Sequence, residues 1–151
     1  MPIPEIYQAD FCESCFYHVF NRTNNKEKLF ITDENHHFFL RKYDEYLSPY
    51  LETYAWCLLP NHFHLIIKVK SIEEINSYLQ DTDTKLLTST EKKFQTGVIF
   101  LSELIEHSFK RFFQSYALAF NKVHKRKGKE IFSINLSKEE KLIRIVILHR
   151  L

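Results

Sequence analysis

Two apolar runs, Thr53 to Leu59 and Phe63 to Val69, meet at Pro60-Asn61, and no other stretch of the chain constrains its fold as strongly. Proline holds its φ angle at about −65° and asparagine tolerates turn geometry, so the pair predicts a tight connection and the two runs a β-hairpin. Successive side chains of a strand point to opposite faces. In the second run this alternation puts Phe63, Leu65, Ile67 and Val69 on one wholly apolar face and His62, His64, Ile66, Lys68 and Lys70 on the other. A strand divided in this way belongs to a sheet with one face packed and one face wet.

The rest of the chain supplies the packing partners. Phe16 to Asn21 reads as a first strand, closed by the polar turn Arg22 to Lys26. Asp33 is expected to cap a helix with apolar residues at Phe38, Phe39, Tyr43, Tyr46 and Leu47, which Pro49 ends. Ser71 and Glu74 have the spacing of a capping box and open a second helix to about Leu79. Residues 81–97 show no sustained period and are expected to form a mobile loop. A long helix from about Leu101 to His124 should stop near Gly128, before a short strand at Glu130 to Ile134. Ser137 and Glu140 form another capping box and predict a last helix from Lys138 to the end, with Leu142, Ile145, Val146 and Leu148 on its buried side. This order predicts an α+β fold: one domain over residues 1–151, with a ferredoxin-like antiparallel sheet and helices packed mainly on one face.

Composition excludes several classes. With 44% hydrophobic residues, 14 Phe and 8 Tyr against 2 Gly and 4 Pro, the chain is too apolar for disorder, and 151 residues suit one domain. No apolar run is long enough for a membrane span, and the N-terminus lacks signal-peptide features, so a cytoplasmic protein without membrane partners is expected. The odd count of 3 Cys argues against a disulfide framework; Cys12 and Cys15 have two-residue metal spacing but no second cysteine pair to complete a zinc site. The net charge of +2 says little, whereas its placement says more: Lys110, Arg111, Lys122, Lys125, Arg126, Lys127 and Lys129 fall in a stretch without Asp or Glu, interleaved with aromatic residues. Such a stretch suits a polyanion surface, although a solvated helix face over an aromatic core stripe would read similarly.

His62 and His64 carry the most specific chemistry. Imidazoles at i and i+2 of a strand share a face and stand roughly 6.5 to 7 Å apart at the backbone, close enough to converge on one divalent ion. Lys68 and Lys70 further along that face would attract phosphate. The plainer reading is a pair of surface histidines on a wet strand face. A zinc hydrolase is disfavoured, because no third His, Asp or Glu stands at an obvious ligand spacing.

The surrounding string Tyr54-Ala55-Trp56-Cys57-Leu58-Leu59-Pro60-Asn61-His62-Phe63-His64-Leu65-Ile66-Ile67 resembles the metal-binding strand of the IS200-like, REP-associated tyrosine transposase family, whose HUH motif is two histidines flanking a bulky apolar residue. Tyr17-His18-Val19-Phe20-Asn21-Arg22 is similar to that family's first strand, Phe30 and Phe38-Phe39-Leu40 to its first helical region, and Phe120 through Gly128 to Phe132 to its basic segment. The resemblance runs from about Tyr17 to Phe132. It implies metal at His62 and His64, with Mg²⁺ or Mn²⁺ polarising the scissile phosphate of single-stranded or hairpin DNA, and a tyrosine attacking to leave a 5′-phosphotyrosine link. It also implies a homodimer, and DNA contacts through Arg22, Lys68, Lys70, Lys110, Arg111, Lys122, Lys125, Arg126 and Lys127.

The chain departs from the family at its end, which reads as truncated or divergent. The family's nucleophile belongs to a Tyr-x-x-x-Asn-Pro string on the C-terminal helix; here Ile147 and Leu151 take the two places if His149 is aligned between them. A chain ending this way is expected not to form the covalent intermediate. Tyr116 is the substitute candidate, set against its reading as a core or groove tyrosine, and His18 is read as a structural histidine near the metal face. The rival function is a DNA- or RNA-binding protein without chemistry that grips a strand with the same sheet and basic helix.

Overall fold

The computed structural model describes residues 10–22 and 28–124 together with 144–147, the backbone alone at Arg22 and in the last segment. The elements run β1 (Phe16–Arg22), α1 (Asp33–Leu47), β2 (Leu51–Leu59), β3 (His62–Val69), α2 (Ile72–Asp81), α3 (Ser89–Gln95), α4 (Leu101–Val123) and β4 (Arg144–Ile147). The fold is α+β, as the order of strand and helix signals predicts. The sheet has the order β2-β3-β1-β4 with every neighbouring pair antiparallel. β1 and β2 therefore lie on either side of β3, joined over one face by α1, an order consistent with a ferredoxin-like arrangement.

The hairpin forms where expected, with Pro60 and Asn61 as the two residues between β2 and β3. Its tip is tied to the start of the helical layer, because the Pro60 carbonyl accepts from the N–H groups of Leu29 at 2.6 Å and Phe30 at 3.2 Å. β2 departs from simple alternation. Its register with β3 shifts between Thr53 and Ala55, a bulge that leaves Tyr54 unpaired and turns its ring to within 5.1 Å of Phe16 across the sheet.

One face of the sheet is dry. Tyr17 and Val19 of β1 and Phe63, Leu65, Ile67 and Val69 of β3 are buried against α1 and α4, whose inward faces are mostly aromatic. Phe39 of α1 meets Phe112 and Tyr116 of α4 edge to face, at 4.8 Å and 5.2 Å, and Phe63 lies 5.7 Å from Phe113. Each fully buried phenylalanine contributes about 1.5–3 kcal/mol by leaving water.

Three sequence expectations need correction. Thr32, not Asp33, is the cap of α1: its hydroxyl accepts from the Asn35 N–H and the Asn35 side chain reaches back to the Thr32 N–H. The segment 81–97 is not a bare loop but contains α3. Thr88 and Glu91 cap its start reciprocally, and Gly97, at φ +75°, ends it in a Schellman turn with Gly97 donating to Phe94 and Val98 to Lys93. Glu91 is buried there, accepting from the Tyr50 hydroxyl at 2.9 Å with the Arg111 guanidinium 3.8 Å away.

The third correction concerns the C-terminal region. Residues 144–147 form a strand and not a helix, pairing Tyr17 with Ile147, His18 with Val146, Val19 with Ile145 and Phe20 with Arg144. Consecutive β-branched residues favour extended backbone, and the free edge of β1 offers them a ladder of donors and acceptors that an isolated helix could not match. Position 147 therefore lies in the sheet opposite Tyr17, not on a helix presenting a nucleophile. The expected strand at 130–134 and the capping box at Ser137 and Glu140 lie outside the described residues.

Candidate functional site

β3 alternates strictly between half-buried and buried residues, so the backbone itself separates His62, His64, Ile66 and Lys68 from the core. β1 does the same with Phe16, His18 and Phe20, and antiparallel pairing sets Phe20 opposite His64 and His18 opposite Ile66. On β2, Cys57 stands opposite His64 and Leu59 opposite His62. The described helices all pack on the other side of the sheet, where Phe63 meets Phe39 and Phe113 and where Glu91 of α3 meets Tyr50.

The histidine face has a defined centre. His18 Nε2 lies 2.8 Å from His64 Nδ1, a hydrogen bond between two imidazoles in which one ring donates and the other accepts. Their rings lie edge to edge, with centroids 5.0 Å apart and 22° between the planes, and the Phe20 ring is near both, 4.9 Å from His18 and 5.8 Å from His64. His62 stands perpendicular to His64 at 5.2 Å. The His62 Nδ1–H donates to Asn61 Oδ1 at 2.7 Å, since an amide oxygen can only accept. That tautomer puts the lone pair of neutral His62 on Nε2. Burial, and then the neighbouring His64, hold the His18 pKa below the ordinary histidine value, which favours the neutral ring.

These donors suit an ion that keeps oxygen ligands of its own. Among the described residues no group of three or more His, Cys, Asp or Glu is placed to hold a metal, so a closed structural zinc site does not fit. Two imidazoles can hold Mg²⁺ or Mn²⁺ only as partial ligands, with phosphate and water supplying the rest. Cys12 and Cys15 lie in the turn before β1 as free thiols.

The expected DNA contacts divide between the two sides of the sheet. Lys68 shares the histidine face and sits over the Phe16 ring at 5.6 Å, while Lys70 follows β3, its N–H donating to Tyr50 O at 3.0 Å. The backbone of Arg22 pairs with His62 at the end of β1. Lys110, Arg111 and Lys122 lie on α4, which packs against the apolar face, so the basic helix and the histidines do not form one surface. Arg111 is already engaged, by Glu91 at 3.8 Å and the Tyr46 ring at 4.9 Å. Lys125, Arg126 and Lys127 lie outside the described residues.

Tyr116 is a core residue, which corrects its candidacy as nucleophile. It is 1% exposed, lies across the sheet from the histidines, and donates its hydroxyl to the Leu29 carbonyl at 2.6 Å. Burial also raises its pKa well above the ordinary tyrosine value, opposing formation of a phenolate. Tyr54 is the described tyrosine on the histidine face, at 56% exposure, but it leans toward Phe16 and hydrogen-bonds Glu52 at 3.2 Å, away from His64. Sequence reasoning placed His18 near this face without seeing its bond to His64, although the alternation of Phe16 to Phe20 puts it there. No family model, curated protein or solved structure matches the chain. No helix of the described residues is long and apolar enough to cross a membrane.

Proposed function

We propose that the chain is a single-stranded DNA-processing domain of the HUH class, acting as a homodimer on single-stranded or hairpin DNA and holding Mg²⁺ or Mn²⁺ with His62 and His64. The observation that carries this reading is the placement of both histidines on the sheet face that the described helices do not cover, in a cluster with the half-buried rings of Phe20 and His18. Nucleobases stack on ring faces of this kind, a contact that is sequence-tolerant and suits single strands better than a paired duplex. Lys68 supplies a cation for the backbone phosphate, and Tyr54 a second exposed ring along the strand. A divalent ion bound here supplies withdrawal of charge from a phosphoryl oxygen. The protein's share is to stack the bases and hold the phosphate near His62 and His64.

A second reading has a specific observation in its favour: the Tyr116 hydroxyl is directed to the Leu29 carbonyl and that of Tyr54 to Glu52, so the same face suits a nucleic-acid-binding protein without covalent chemistry. One experiment separates them. Incubation with Mn²⁺ and a labelled hairpin oligonucleotide, followed by denaturing electrophoresis, gives a covalent adduct if the chain processes DNA and none if it only binds, while both readings require native binding that weakens steeply as salt rises. An adduct would establish the covalent chemistry and point to a tyrosine outside the described residues. Undetectable binding at low salt would remove both readings.

A further inference from the structure

We propose that His18 is a positioning residue that fixes the tautomer of His64, accepting at its own Nε2 the proton of His64 Nδ1 and so leaving the His64 lone pair on Nε2. This rests on the reading of His62 and His64 as metal ligands. The two nitrogens stand 2.8 Å apart, a hydrogen-bond distance between imidazoles at which one ring carries the shared proton. With Nδ1 engaged in that bond, Nε2 is the His64 nitrogen that we assign to an ion.

The direction of the bond follows from what each alternative leaves behind. Were His18 to donate, neutral His64 would carry its proton on Nε2 and present a donor where a ligand is needed. With His64 donating, it matches His62, whose Nδ1–H is directed at Asn61 Oδ1. Two neighbours, one from β1 and one from the hairpin turn, thus set both histidines to the same tautomer. The neighbouring Phe20 ring touches both imidazoles, 4.9 Å from His18 and 5.8 Å from His64, and so limits the freedom of either ring to turn away. Outer partners of this kind raise the basicity of a ligating imidazole and fix its orientation.

Long-range ¹⁵N–¹H spectra of the full chain without metal, recorded above pH 6.5, read the tautomer of each ring directly. Wild-type His64 should be protonated on Nδ1 and not on Nε2. His18→Gln, whose amide oxygen can accept from the same direction, should keep that pattern, and His18→Phe, which keeps an aromatic ring beside Phe20 and loses the acceptor, should move the proton toward Nε2. Calorimetric titration with Mn²⁺ should then show binding about 10- to 100-fold weaker in His18→Phe, with recovery in His18→Gln. Wild-type His64 protonated on Nε2 would overturn the proposal without any variant having to fold. So would unchanged Mn²⁺ affinity in a folded His18→Phe, and that result would leave the HUH reading intact. If the wild-type protein binds no Mn²⁺, the metal reading fails and the role of His18 fails with it.

Discussion

The two faces of this sheet are built from the same strands and both carry aromatic rings, yet the rings differ in how fully they are buried. On the covered face, Phe39 meets Phe112, Tyr116 and Phe30 at interplanar angles of 72°, 84° and 83°. On the other, Phe20, His18 and His64 lie within 22° to 34° of parallel. Edge-to-face packing fills a three-dimensional interior in which rings arrive from helices and strands at many angles. Near-parallel pairs occur in the interior too, Phe11 with Phe109 at 17° and Phe109 with Phe113 at 24°, so the faces differ in burial and not in ring angle alone. Phe39, Phe109 and Phe112 are fully buried and stabilise the fold, whereas Phe20, His18 and His64 are half-buried and are the rings on which the proposed function would stack a base.

Four experiments test that contrast. Phe39→Ala should have the largest effect, a loss of about 3–5 kcal/mol in unfolding free energy by denaturant titration, because it opens a cavity where α1, α4 and the sheet meet. A loss below about 1 kcal/mol would mean that the interior is far less tightly packed than its ring contacts imply. Phe20→Ala should instead act on binding, weakening single-stranded DNA by about 1–3 kcal/mol in fluorescence anisotropy, the usual worth of one stacked base. If it unfolds the protein and leaves the affinity of the remaining folded fraction unchanged, the two faces are not functionally distinct.

Tyr116→Phe should cost about 1–3 kcal/mol of stability, since the buried Leu29 carbonyl loses its donor, and should leave DNA and Mn²⁺ affinity unchanged. A selective loss of binding would reinstate Tyr116 at the site. The smallest effect belongs to His107, on the helical side. Burial first, and then the nearby Arg111, hold its pKa below the ordinary 6.5. The unfolded chain therefore binds the extra proton more readily, so this contribution to stability is present above pH 6.5 and is lost as pH falls through the depressed folded value. Thermal unfolding should shift to lower temperature on acidification across that window, and His107→Gln should flatten the shift.

The legible parts of the chain are those in which local chemistry and tertiary context agree. β3 was readable because its alternation is complete, so any sheet covered on one face must present His62 and His64 together on the other. α2 was readable from Ser71 and Glu74, and α4 from its repeating apolar positions. α3 carried an equally good capping signal in Thr88 and Glu91, with Gly97 to end it, but seven residues are too few to show a period. Its stability comes from burying Phe94 and satisfying Glu91 with Tyr50 and Arg111, partners 41 residues before and 20 after it in the chain.

By itself the sequence determined the α+β class, the hairpin and the shared face of the two histidines, because strand periodicity and turn chemistry act over a few residues. Which side of the sheet each charge faces was a tertiary decision: α4 buries its aromatic stripe against the apolar face, and this carries Lys110, Arg111 and Lys122 away from His62 and His64. The same holds for residues 144–147, where the apolar pattern suits a helix or a strand and the open edge of β1 selects the strand. His18 owes its bond to His64 to the β1–β3 register, a pairing across 46 residues that no local pattern specifies. Local pattern fixes what a side chain can do, and only the packing of distant elements fixes what it faces.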